Sequence, residues 1–174
     1  MKILLIGNIG SGKTTIGKLL SDKLNIPFIA IDEIREKYSD GTIAGEYLSL
    51  HHFMKNCQDE QSKILETSGI GCHKHSVKKA LEDSQNEIFV VMIYSDIELN
   101  KFRINNKKWP PHPWPLNIDA LLKKTELELK DDFHHKFWEN SNSKFKLLLI
   151  ENNEDSIIEA LVEKIISFVK NKGK

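Results

Sequence analysis

Residues 7–14 read Gly-Asn-Ile-Gly-Ser-Gly-Lys-Thr, and no other stretch restricts the fold of this chain as strongly. They match the pattern G-x-x-x-x-G-K-[ST], and they stand in the context that gives the pattern meaning. Before them, Lys2 to Ile6 is an apolar run of the kind that forms a strand buried on both faces. After them, Ile16, Leu19, Leu20 and Leu24 fall on one helical face. Between such a strand and helix, glycines let successive backbone N–H groups turn inward, and the helix adds its positive end. Gly7, Asn8, Ile9, Gly10, Ser11, Gly12, Lys13, Thr14 and Thr15 are therefore expected to cradle the phosphates of ATP. Lys13 supplies a mobile point charge, Thr14 a hydroxyl for Mg2+, and Thr15 a contact near the α-phosphate.

The rest of the chain alternates between strand-like and helix-like periods. Asn25 and Pro27 close the first helix; strands are expected at Phe28 to Ile31, Ile64 to Thr67, Glu87 to Tyr94 and Lys144 to Ile150. Helices are expected at Glu33 to Tyr38, Ala44 to Cys57 and Ser76 to Asp83. Another starts after Ser95, which forms a capping box with Glu98, and runs to about Lys107. Asn117 caps a long helix from Ile118 to about Glu139, and Asp155 and Ser156 open the last one. Lys108 to Pro115 holds four of the five prolines, which forbids both helix and central strand there. Such alternation implies a mostly parallel sheet with helices on both faces, whose ligands gather at the carboxyl ends of the strands.

Composition narrows the class. A chain of 174 residues suits one domain with one core, and 25 acidic against 25 basic residues leave no global field to gather nucleic acid. A local basic groove stays open. No apolar run is long enough to cross a bilayer, and a chain that starts on a strand is not expected to carry a signal peptide. Two cysteines, Cys57 and Cys72, make no disulfide framework, so a cytoplasmic setting is expected.

Several residues suggest phosphoryl transfer. Asp32, at the end of the second expected strand, can take the proton of an acceptor hydroxyl or hold Mg2+ through water; Arg35, one turn on, can grip an acceptor anion bidentately. Glu66 can reach a Mg2+-bound water, while Gly69, Gly71 and His73 are candidates to line the acceptor pocket. Arg103 and Lys107 lie one helical turn apart and can point together at the nucleotide. Trp109 and Trp114 can stack on a base or pin the segment to the domain. Pairs such as His51-His52 and His134-His135 point about 100° apart on a helix and are poor metal ligands. Cys72, His73 and His75 lack a second ligand cluster.

Taken together, the opening Ile-Gly-Asn-Ile-Gly-Ser-Gly-Lys-Thr-Thr, the Asp32 strand end, the glycine loop, the Arg103 helix and the closing strand and helix resemble the small P-loop kinases of the adenylate kinase and shikimate kinase group. The resemblance implies a three-layer α/β fold with a five-stranded parallel sheet in order 2-3-1-4-5. It implies one domain over 1–174 with a short lid at about 104–117, and an adenine pocket completed near Asn152 to Glu154. Asp32 and Arg35 together also resemble the zeta toxin and polynucleotide kinase branch. The glycine loop reads Ser68-Gly69-Ile70-Gly71 where shikimate kinases have three successive glycines. The expected activity is ATP- and Mg2+-dependent transfer to a small hydroxyl-bearing or phosphorylated acceptor, nucleotides included, with Lys13, Asp32 and Arg103 as the catalytic set. The alternatives are a polynucleotide or nucleotide-sugar kinase and an ATP-hydrolysing switch.

Overall fold

In the computed structural model, residues 1–71, 73–105, 108–113, 117–139 and 144–171 are described. Among them run β1 (Lys2–Gly7), α1 (Lys13–Leu24), β2 (Phe28–Ala30), α2 (Ile31–Tyr38), α3 (Ile43–Gln58), β3 (Lys63–Glu66) and α4 (His73–Asp83). They continue with β4 (Ile88–Tyr94), α5 (Ile97–Ile104), α6 (Ile118–Leu129), α7 (Asp132–Trp138), β5 (Phe145–Glu151) and α8 (Ile158–Lys170). All five strands pair in parallel, in the order β2-β3-β1-β4-β5. The glycine-rich turn after β1 thus leaves the middle of the sheet, where the strand order reverses and such sheets keep their ligands.

Alternation along the strands divides the core into two layers. Leu4, Ile6, Leu65, Val90 and Met92 face α3 and α4, against Phe53, Cys57, Val77 and Leu81, with Trp138 of α7 in the same layer. Ile3, Leu5, Ile64, Phe89, Val91 and Ile93 face the other way, against Ile16 and Leu20 of α1 and Val162 and Ile165 of α8. Each such aliphatic side chain contributes about 1.5–3 kcal/mol on burial. This double-sided burial is why β1 and β4 are almost uninterrupted apolar runs.

Four local expectations are corrected. α5 is capped by Asp96, not Ser95: its carboxylate accepts from the N–H groups of Glu98 and Leu99 at 2.8 and 3.3 Å. The Ser95 hydroxyl is turned instead to the Asn100 side chain. α5 ends at Ile104, short of the expected Lys107. The long charged helix is two helices, because the Asp131 carboxylate accepts from the N–H of Phe133 at 3.0 Å and starts α7 afresh. Finally, Asp155 and Ser156 do not open the last helix. The Ser156 hydroxyl accepts from the N–H of Asn153 at 2.9 Å to hold a turn, and α8 begins at Ile158.

Candidate active site

The β1–α1 loop is fastened from three sides. Asn152, just after β5, donates its Nδ2 to the carbonyl of Ser11 at 2.9 Å. Arg103 of α5 donates Nη1 to the carbonyls of Gly10 and Asn152 at 3.3 and 3.2 Å. Asn8 reaches α6, donating Nδ2 to the carbonyl of Leu122 at 3.2 Å. Gly12 has a φ of 90°, and a Cβ there would stand 2.3 Å from Asn152 Nδ2, so conformation and space both demand glycine. Lys13 is 7% exposed, and its ammonium donates to the carbonyls of Gly7 and Asn8 at 3.1 and 2.7 Å, within the loop it is expected to serve. Ser11 Oγ and Asn152 Oδ1 are buried without a hydrogen-bond partner among the described residues, which fits a loop built for a polar ligand. The first turn of α1 holds no acidic residue to oppose an anion.

Two carboxylates meet this loop at the strand ends. In the parallel ladder Glu66 pairs with Ala30 on one side and Leu5 on the other, so the ends of β2 and β3 lie level with the start of the loop. The Thr14 hydroxyl donates to Glu66, with both carboxylate oxygens within 3.0 Å. A hydroxyl and a carboxylate are the hard oxygen donors that Mg2+ prefers, so these two residues suit that ion. Among the described residues no group of three or more His, Cys, Asp or Glu side chains could hold a metal.

β2 passes into α2 without a loop, which puts Asp32 in the first turn of the helix and Arg35 one turn on. Arg35 Nη1 donates to Asp32 at 3.0 Å. The same guanidinium also grips Glu46 of α3 with two bonds, Nε to Oε2 at 2.9 Å and Nη2 to Oε1 at 2.6 Å. Glu46 is almost fully buried, its side chain 5% exposed against 17% for Arg35 and 34% for Asp32. Burial alone would raise the Glu46 pKa, but the hydrogen bonds and charge of Arg35, with His112 and His73 nearby, hold it below the usual carboxylate range. For Arg35, burial pulls its pKa down, and Glu46 and Asp32 outweigh that and raise it. Removing one member of so buried a pair costs about 3–5 kcal/mol, because the other is left uncompensated. The bidentate grip foreseen for an acceptor anion is thus spent on the protein's own carboxylate.

One cleft of about 700 Å³ gathers most of the expected residues: Ile9, Gly10, Gly12, Lys13, Thr14, Thr15, Asp32, Arg35, Glu66, Arg103 and Asn152 all line it. Gly69, Gly71 and His73 do not. Gly69, at φ 73°, backs onto Ile6 and its carbonyl accepts from Trp138 Nε1 at 3.2 Å, so this glycine serves packing. The N–H of Gly71 meets Glu128 of α6 at 3.3 Å. His73 lies 3.9 Å from Glu46, behind the cleft wall. From this loop it is Thr67, Ser68 and Ile70 that face the cleft. Lys107, Cys72 and Trp114 fall outside the described residues. Trp109 and His112 of the proline-rich segment line the cleft, and the Ser39 hydroxyl donates to the carbonyl of Pro111 at 3.3 Å.

Glu46 and His112 escaped the sequence reading. For Glu46 a signal existed: it shares a helical stripe with Leu50, Phe53 and Cys57, all buried, and a carboxylate on a core face must have a cation. His112, inside a segment without regular structure, gave no periodic signal.

The fold and this cleft are those of a P-loop protein, and the family comparisons make it a phosphotransferase that uses ATP and Mg2+ and phosphorylates a small molecule. The family model for shikimate kinase matches residues 9–170. Shikimate kinase of Staphylococcus epidermidis is 30% identical over 128 residues, covering 68% of this chain and 73% of that protein. Shikimate kinase of Staphylococcus aureus is 32% identical over 143 residues, covering 74% and 81%. The solved structure of shikimate kinase from Acinetobacter baumannii in complex with shikimate superposes with a TM-score of 0.66 at 20% identity, covering 99% of this chain and 95% of that one. This chain belongs to the shikimate kinase family. That membership leaves the polynucleotide or nucleotide-sugar kinase alternative without support. No helix among the described residues is long and apolar enough to cross a membrane.

Proposed function

We propose that the chain transfers the γ-phosphoryl group of ATP to a ring hydroxyl of a small polyhydroxylated acceptor, with shikimate the first candidate. The supporting observation is that two carboxylates line one cleft beside different groups, Glu66 at the Thr14 hydroxyl and Asp32 at Arg35. We divide between them two duties that the sequence left joined at Asp32. Thr14 and Glu66 would hold Mg2+, which would neutralise phosphate charge when bound. Asp32 is the base. The acceptor oxygen attacks the γ-phosphorus, its proton passes to Asp32, and the bond to the β–γ bridging oxygen breaks to release ADP. Lys13 and Arg103 stand where they can stabilise the charge that develops.

Shikimate as acceptor is supported by the family match and by the names of the relatives at 30% and 32% identity. The cleft wall suits a hydroxylated ring: Ile31, Ile70, Leu121 and Trp109 offer apolar surface, and Thr67 and Ser68 offer hydroxyls. We take residues 104–117 as a lid of the single domain 1–174. A cytoplasmic setting belongs to the same reading, in keeping with a buried, free Cys57. The test is to incubate the protein with labelled ATP, Mg2+ and shikimate and follow label into product. ATP consumption that is equal with and without shikimate, with no labelled product, would sink this acceptor.

A further inference from the structure

Arg35 lines the acceptor half of the cleft, yet three of the five N–H groups a guanidinium carries are already engaged, two by Glu46 and one by Asp32. Glu46 does not line the cleft; it stands behind Arg35 on α3, and the charges of His112 and His73 act on it there as well. The guanidinium presented to the acceptor is therefore already shared by two carboxylates. A carboxylate or phosphate brought to Arg35 would compete with both of them. To chelate it with a fork, Arg35 would have to leave Glu46 buried and alone. A hydroxyl meets neither obstacle. It can accept from a remaining N–H of Arg35 and donate to Asp32, which is also the orientation in which Asp32 receives its proton.

We propose that Glu46 is a specificity-determining residue, acting through Arg35: it keeps the guanidinium as a hydroxyl donor and denies that edge of the cleft to anions, so the acceptor is read there by its hydroxyls and any acid group it carries is not held by Arg35. This rests on the kinase reading above, with Asp32 as base.

Two measurements separate the two readings. The first compares shikimate with its uncharged methyl ester as acceptors. Glu46→Gln moves the preference toward the acid by about tenfold relative to the wild type, through the KM of the acid and with the KM for ATP unchanged. A wild type that prefers the acid by more than about tenfold, with that preference lowered in Glu46→Gln, would make Arg35 a carboxylate receptor and overturn the proposal. The second measurement needs no acceptor: the Nε–H resonance of Arg35 is followed during titration with formate. Formate leaves it in place in the wild type and shifts it in Glu46→Gln. An equal shift in both proteins overturns the proposal even if shikimate is a good substrate. Failure to phosphorylate either shikimate or its ester counts against the acceptor assignment alone, because the formate titration still decides the role of Glu46. Should Glu46→Gln not fold, Glu46→Asp keeps the charge with a shorter reach, and an intermediate shift is expected. No shift in that variant counts against the proposal.

Discussion

The two halves of the cleft are built by opposite means. The nucleotide half is local: nine consecutive residues, Gly7 to Thr15, make a loop whose shape follows from its own glycines, and Asn152, Arg103 and Asn8 only fasten it. The acceptor half is assembled from afar. Arg35 on α2 is held by Glu46 on α3, and Trp109 and, from α6, Leu121 and Thr125 line the same cleft. Local construction makes a half-site independent of the packing around it. Distant construction makes it tunable, because a single exchange in a neighbouring helix can change what the site accepts.

That contrast is sharpest where the expected losses are largest. Lys13→Ala is expected to lower kcat/KM on the order of 10³-fold or more, by removing the cation proposed to neutralise the transferred phosphoryl group. Its thermal midpoint should stay near that of the wild type, since the loop takes its shape from its own glycines at positive φ. A large fall in the midpoint would mean that the nucleotide half, too, depends on distant support. Asp32→Asn is expected to lose on the order of 10²–10⁴-fold in kcat if Asp32 is the base. Steady-state kinetics at saturating ATP would show it, and full activity in that variant would remove Asp32 from the role.

The same contrast explains what the sequence disclosed. The alternation of strands and helices and the contiguous phosphate loop are legible from period and spacing, and Thr14, Glu66 and Asp32 lie in that loop or at strand ends; the strand order comes only with the family resemblance, and Arg103 stands on helix α5. The Arg35–Glu46 pair was half visible. Arg35 was picked out as an anion grip, but its anion sits 11 residues away on another helix, and no local period links them. The glycine loop misled for a related reason. Glycines suggest room for a ligand, whereas at Gly69 the room is filled by Ile6 and the carbonyl is taken by the indole N–H of Trp138. The break between α6 and α7 was missed because Asp131 reads as one more charged residue in a charged helix until its carboxylate is seen capping the next one.

Gly69→Ala probes the distant construction directly. Its Cβ would sit 2.6 Å from Ile6 on a left-handed backbone, a cost of about 1–3 kcal/mol by the usual strain at such positions. Denaturant unfolding should register that loss. Because Ser68 and Ile70 on either side line the cleft, the KM for the acceptor should rise more than the KM for ATP. Equal rises in both would show that the two halves are not separable.

The smallest expected effect concerns His134, which lies under that same loop and is essentially buried. Its Nε2 accepts from Trp138 Nε1 at 3.2 Å, the N–H that also meets the carbonyl of Gly69, so the imidazole must be neutral there. Burial first, then the nearby charge of Lys74, lowers the His134 pKa to about 4, and Glu128 recovers only part of the loss. A histidine whose pKa is depressed on folding binds fewer protons in the native state than in the unfolded chain between its two values. Its contribution to stability is therefore complete above an ordinary histidine pKa of about 6.5 and declines as pH falls toward about 4. Thermal midpoints across that window should fall less steeply in His134→Gln than in the wild type, since glutamine does not titrate. Parallel slopes would mean that His134 carries its proton without disturbing the Trp138 contact, and that the support beneath the acceptor loop is not pH-sensitive at this point.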